Sequence, residues 1–202
     1  FAEIGSALAR VHEVGFSKPG LFDATLKVSP AFDSFAGEAR AYLLRSLRGR
    51  AGPRLGPARK RALESLIARR WRLVRKAENR PSLIHCDFNP KNLLVTKGPR
   101  PRLAAILDWE FAMSGIPLND LGNFLRFPED YPPGAEAAFR DGYRSGGGRL
   151  PRHWRETALL LDLVSMGAFL DRPEHYPRTF RTALAVVDRT LARANRAGRV
   201  LT

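Results

Sequence analysis

The stretch His85-Cys86-Asp87-Phe88-Asn89-Pro90-Lys91-Asn92 runs into Leu93-Leu94-Val95 and, past a Lys97-Gly98-Pro99-Arg100-Pro101 turn, into Leu103-Ala104-Ala105-Ile106-Leu107-Asp108. Apolar runs on either side of a Gly/Pro turn predict an antiparallel hairpin over 93–96 and 103–107, with another short strand at Leu83 and Ile84. A polar loop tied to strands at both ends places its side chains with little freedom. Asp87 and Asn92 share that loop, and the hairpin returns Asp108 to the side of Asn92.

Outside this stretch the apolar spacing is helical. Ile4, Leu8 and Val11 predict a helix over 2–13, stopped near Gly15. Leu43, Leu44 and Leu47 predict a second over 34–48, which the glycines of 49–56 and Pro53 should break. Pro57 can open a third, with Leu63, Leu66, Ile67 and Val74 on one face and Pro81 beyond its end. Past Gly115-Ile116-Pro117, helices are expected over 120–127, 135–143, 154–170 and 180–195, with Gly146 to Gly148 as a loop. No repeat of 20–50 residues is present. The fold class expected is α+β, mainly α, a helical body with a small β-hairpin set into it.

With 202 residues, 44% of them hydrophobic, the chain can bury a core. It contains no apolar run of about 18 residues that could cross a membrane, and its first residues lack the basic and cleavage features of a signal peptide. The single cysteine, Cys86, excludes an internal disulfide and a multi-cysteine zinc site and suits a reducing cytoplasm. The formal charge of +14 is uneven. Residues 1–108 hold 21 Lys and Arg against 9 Asp and Glu, whereas residues 109–202 hold 13 against 11. Between Arg54 and Lys76 nine basic residues meet one acid, Glu64, which reads as a solvated helix face or a docking surface. Only Trp71 interleaves them and no nucleic-acid motif accompanies them, so neither nucleic acid nor membrane is the expected partner.

The chemistry follows from the residue types. Asn92 and Asp108 offer an amide carbonyl and a carboxylate, hard oxygen donors suited to Mg2+ shared with phosphate oxygens. Asp87 is then an acid close to the metal but free of it, able to orient an acceptor hydroxyl and take its proton. Singly, Asp87 reads equally as a turn or capping residue and Asn92 as a strand-end hydrogen-bonder; together with Asp108 the functional reading is the sharper one. Zinc held by His85, Cys86 and Asp87 is not expected, because neighbours in a strand point to opposite faces and the sequence offers no second cluster.

The ordered set H-x-D-x-x-x-x-N, then I-L-D-W-E, then P-L-N-D-L-G resembles the aminoglycoside phosphotransferase and choline kinase group, and Leu8-Ala9-Arg10-Val11-His12 is similar to the group's helix after the hinge between lobes. The resemblance covers most of the chain and implies the C-terminal lobe of a protein-kinase-like fold: a helical part with the basic segment (1–80), the catalytic loop and metal-binding hairpin (81–120) and a helical acceptor side (121–202). It implies Asp87 as catalytic base, Asn92 and Asp108 as metal ligands, and Asp120 as a buried acid holding the catalytic loop. His85 is expected to be structural, Lys91 is a candidate phosphate contact, and Trp109 and Glu110 are candidates for shaping the acceptor side or supporting the strand end. Cys86 stands where the group often has Gly, and packing is its expected role. His12, His153 and His175 read as surface or satisfied core histidines.

The function implied is transfer of the terminal phosphate of ATP or GTP, with Mg2+, to a hydroxyl of an aminoglycoside, choline-like molecule, sugar or other small alcohol. Glu129, Asp130, Asp162, Asp171 and Glu174 are candidate partners for a cationic acceptor. Nothing upstream of Phe1 supplies the small lobe with its phosphate-covering loop and nucleotide-binding lysine, and there is no initiator Met, so a fragment needing that lobe is expected. The alternative reading is a kinase-like binding or regulatory module.

Overall fold

The structure, a computed structural model, describes the backbone of residues 1–199 and the side chains of residues 1–196. Its first helix, α1 (Ala2–Glu13), lies against α7 (Ala135–Ser145) along a glycine seam. A methyl group added at Gly5 would overlap the Phe139 carbonyl, and one at Gly142 the Ala2 carbonyl, so the two backbones touch where a Cβ would hold them apart. The α2 helix (Phe35–Arg48) begins at Ser34, whose hydroxyl accepts from the Gly37 amide at 2.9 Å. Residues expected to break the chain instead form α3 (Ala51–Leu55), the one stretch of helix that the apolar spacing missed before α4 (Pro57–Arg70) and α5 (Arg72–Ala77). A distant carboxylate is the reason: Asp171 accepts from the Arg50 and Ala51 amides at 2.6 and 3.3 Å, satisfying donors that a stretch with Pro53 and three glycines could not organise alone.

Two small sheets carry the loops. The hairpin of β4 (Leu93–Val95) and β5 (Leu103–Ile106) forms as the turn chemistry predicts, with Leu93 opposite Ile106. Of the second sheet, only the strand at Leu83 and Ile84 was expected. This sheet orders β2 (Val28–Ala31), β1 (Gly20–Phe22), β6 (Met113–Gly115) and β3 (Ser82–Ile84), all antiparallel. Pairing of β3 with β6 brings the chain just before His85 alongside the chain that leaves Asp108, so both functional segments emerge from one frame.

Below them the core is continuous. Phe88 packs on Phe124, which stacks on Phe139 with ring centres 4.1 Å apart. Phe124 ends α6 (Leu118–Phe124), a helix buried along its whole length and packed on α8 (Trp154–Asp171). Leu160, Leu161, Leu163, Met166 and Leu170 of α8 fill the centre, and α9 (Pro177–Arg199) closes the far side with Ala183, Val186 and Val187. Among the described residues no helix is long and apolar enough to cross a membrane. The architecture is a mainly helical α+β body with small antiparallel sheets.

Candidate active site

The loop after β3 is held from below by one carboxylate. Asp120, completely buried on α6, accepts from the His85 amide with Oδ2 at 2.7 Å and from the Cys86 amide with Oδ1 at 2.9 Å. Both N–H groups would otherwise be buried without partners, which costs more than a single hydrogen bond gains. Between them the chain makes a left-handed turn, with Cys86 at φ 64°. That conformation costs a non-glycine residue about 1–2 kcal/mol, and the paired amide bonds hold it. Cys86 is not poised to react: desolvation, then the nearby Asp120 and Asp87 carboxylates, push its thiol well above the ordinary range.

His85 ties the two functional segments together. The Asp87 amide donates to Nδ1 at 3.3 Å, so the ring proton is assigned to Nε2, which donates to the Leu107 carbonyl at 2.8 Å. The imidazole, fully buried against Phe88 and Trp109, thus spans from the backbone of Asp87 to the residue preceding Asp108. Asp108 itself is left-handed, with φ 66°, which turns its exposed carboxylate out of the strand direction. On the other side the Leu107 amide donates to the Asn92 carbonyl at 2.8 Å, setting the Asn92 and Asp108 segments side by side.

Asn92 also braces Asp87. Its Nδ2 donates to the Asp87 carbonyl at 2.9 Å and to Asp87 Oδ2 at 3.1 Å. Asn89 Nδ2 donates to the same carbonyl, and Asn89 Oδ1 accepts from the Lys91 amide, so the intervening turn at Pro90–Asn92 is pinned. Asn92 Oδ1 and Asp87 Oδ1 keep no hydrogen-bond partner among the described residues, and the Asp108 carboxylate has none either. The donor chemistry therefore fits magnesium: hard oxygens left unspent, with no group of three or more His, Cys, Asp or Glu among the described residues to form an all-protein cage.

The remaining candidates separate. Lys91 and Glu110 point their side chains into solvent without partners among the described residues, and Trp109 Nε1 donates to the Ile106 carbonyl at 2.8 Å, which supports the strand end. Leu94, Val95, Leu107 and Phe111 stay exposed beside the loop, an apolar border that burial alone reveals. Of the carboxylates expected to be open to a cationic acceptor, three are already engaged. Asp162 is buried against Arg126 at 2.7 Å, Glu129 pairs with Arg189, and Asp171 caps α3. Burial opposes the charge on Arg126, but Asp162, with a smaller contribution from Asp87, restores it, which places this cation within electrostatic reach of the loop. Sequence spacing gave no sign of Arg126. A cleft of about 330 Å³ lined by Leu66, Arg155, Leu159 and Arg193 lies among α4, α8 and α9, away from residues 85–108.

Comparison with solved structures places this architecture. A candidate fructosamine-3-kinase from Thermobifida fusca superposes with a TM-score of 0.64 at 18% identity, over 95% of this chain and 64% of that one. Choline kinase from Streptococcus pneumoniae gives 0.59 at 15% identity, over 95% and 62%. A macrolide 2'-phosphotransferase from Brachybacterium faecium gives 0.58 at 22% identity, over 92% and 59%. The chain thus spans about three-fifths of the length of these proteins and shares their fold. No curated protein sequence matches it. A model of the phosphotransferase enzyme family matches residues 1–160, well over half of the chain and including the whole stretch from His85 to Asp120, and the chain belongs to that family.

Proposed function

We propose that the protein transfers the terminal phosphate of ATP or GTP to a hydroxyl group of a small molecule, with Asp87 as the base. The observation that carries this is the division of the Asp87 carboxylate: Oδ2 is occupied by Asn92 Nδ2 at 3.1 Å, while Oδ1 is free to accept a proton. A fixed carboxylate with one open oxygen orients an incoming hydroxyl and removes its proton as the phosphoryl group leaves the nucleotide. Asn92 Oδ1 and the Asp108 carboxylate would hold magnesium, which when bound neutralises charge on the phosphate oxygens. His85 keeps the base and the Asp108 segment at a fixed separation through its two ring nitrogens.

Engagement of Asp162, Glu129 and Asp171 leaves Glu110, Asp130 and Glu174 as the exposed carboxylates downstream of Asp108 considered for acceptor binding. That supports a neutral or singly charged alcohol over a polycationic aminoglycoside, since a polycation needs a convergent acidic lining. The whole enzyme is expected to include elements that cover the nucleotide phosphates, in keeping with the greater length of the matching structures. The test is a panel of sugars, amino alcohols, choline analogues, macrolides and aminoglycosides, with ATP or GTP and magnesium, read as acceptor-dependent nucleotide consumption. Turnover with a small alcohol supports the proposal. Magnesium-dependent nucleotide binding without turnover on any acceptor contradicts it and favours a kinase-like binding module.

A further inference from the structure

Asp120 has a partner on its far side. His12 of α1, predicted to be an ordinary surface or core histidine, is buried with Nε2 3.1 Å from Asp120 Oδ2 and Nδ1 2.8 Å from the hydroxyl of Tyr143 on α7. Asp120 is an acceptor toward both loop amides, so the proton is assigned to His12 Nε2, which donates to Oδ2, and with the imidazole neutral the Tyr143 hydroxyl donates to Nδ1. Tyr143 is itself 1% exposed, and its ring packs edge-on to the imidazole at 5.7 Å. The Gly5 and Gly142 seam sets this geometry, because it brings α1 and α7 close enough for a tyrosine on one to reach a histidine on the other. A continuous set of hydrogen bonds therefore runs from α7 through α1 and α6 to the strained turn at Cys86, one residue before Asp87.

We propose that His12 and Tyr143 are positioning residues for phosphoryl transfer, acting through Asp120 on the backbone of the loop that carries Asp87; the proposal rests on the function given above. Without the His12 donor, Asp120 Oδ2 is a buried carboxylate oxygen with one fewer partner, and its side chain is held by the two loop amides alone. The left-handed turn at Cys86 is then held less firmly, and Asp87 is presented over a wider range of orientations. Substrate binding surfaces are untouched, so the effect falls on kcat rather than KM.

The experiment uses the full chain and compares His12→Leu, His12→Gln and Tyr143→Phe with the native protein. Two readouts are taken, steady-state kinetics and site-resolved hydrogen exchange at the His85 and Cys86 amides. His12→Leu is expected to lower kcat by roughly ten- to a hundredfold, the worth of a hydrogen bond to a charged group, with KM for nucleotide and acceptor within about twofold. Exchange at those two amides should accelerate by at least about tenfold while α8 amides stay protected. His12→Gln, which keeps an N–H donor, should recover part of both effects, and Tyr143→Phe should move both in the same direction by less. The proposal is overturned if the folded variants leave kcat and the two amides unchanged, or if exchange accelerates evenly along the chain, as simple destabilisation would require. Should His12→Leu fail to fold, Tyr143→Phe, which removes one oxygen from an otherwise intact core, decides by the same criteria. Exchange needs no acceptor, so a native protein without transferase activity would sink the functional reading while leaving this linkage to be judged on the amides alone.

Discussion

At Asp87, two oxygens of one carboxylate have different environments, and that asymmetry is the basis of the proposed chemistry. Asp108 should show a different dependence. With its carboxylate exposed and free of protein partners, Asp108→Ala is expected to fold normally and to lose the magnesium-dependent part of nucleotide affinity, which calorimetric titration with and without magnesium measures. Unaltered magnesium dependence would count against its role. Asp162 belongs to structure instead. Removing it in Asp162→Ala leaves the buried Arg126 guanidinium without a counter-charge, and urea unfolding should report a loss of about 3–5 kcal/mol. A loss below about 1 kcal/mol, the level of an exposed pair, would show that water reaches Arg126.

The elements differ in how far their own sequence determines them. At the α1 and α7 seam, Gly5→Ala or Gly142→Ala forces two backbones apart, and each should cost about 1–3 kcal/mol by thermal or urea unfolding; a neutral result would mean the seam tolerates a methyl group. The hairpin was legible because its Gly98 and Pro99 turn lies between two apolar runs, and α1, α2 and α4 because their apolar residues repeat at helical spacing. Of the other sheet only β3, at Leu83 and Ile84, was legible; β2, β1 and β6 were not, since strands of three or four residues with mixed burial leave no alternation to read. The helix at Ala51–Leu55 was hidden for another reason: the carboxylate that starts it, Asp171, is at the end of α8. In the candidate site, His85, Asp87, Asn92, Asp108 and Asp120 were legible because they fall in one ordered motif. His12, Tyr143 and Arg126 were not, because their partners lie far along the chain and only folding brings them together.

For the whole molecule, several groups hold their protons more tightly folded than unfolded. Desolvation raises the Tyr143 and Tyr131 hydroxyls and the Cys86 thiol, with Asp120, Asp130 and Asp87 adding to the effect. Stability from these groups is therefore intact below their ordinary pKa values, about 8.5 for cysteine and 10 for tyrosine, and is lost as pH rises beyond them. Denaturant midpoints should fall steadily above about pH 9, and Tyr143→Phe should flatten that decline; a midpoint constant to pH 11 would contradict the burial of these groups. The basic surface has a structural account in part, because Arg59 pairs with Asp188 and Arg54 donates to the Leu170 and Arg172 carbonyls across to the C-terminal helices.

The fold, the buried Asp120 and the bracing by Asn92 and His85 all converge on the presentation of one carboxylate oxygen of Asp87. The most direct measurement is the rate of magnesium-dependent phosphoryl transfer from γ-labelled nucleotide to the best acceptor, native protein against Asp87→Asn. The substitution keeps the size of the side chain and removes the base. A fall of at least about a hundredfold, with nucleotide affinity unchanged, is the predicted result. Equal rates in the two proteins would contradict the account.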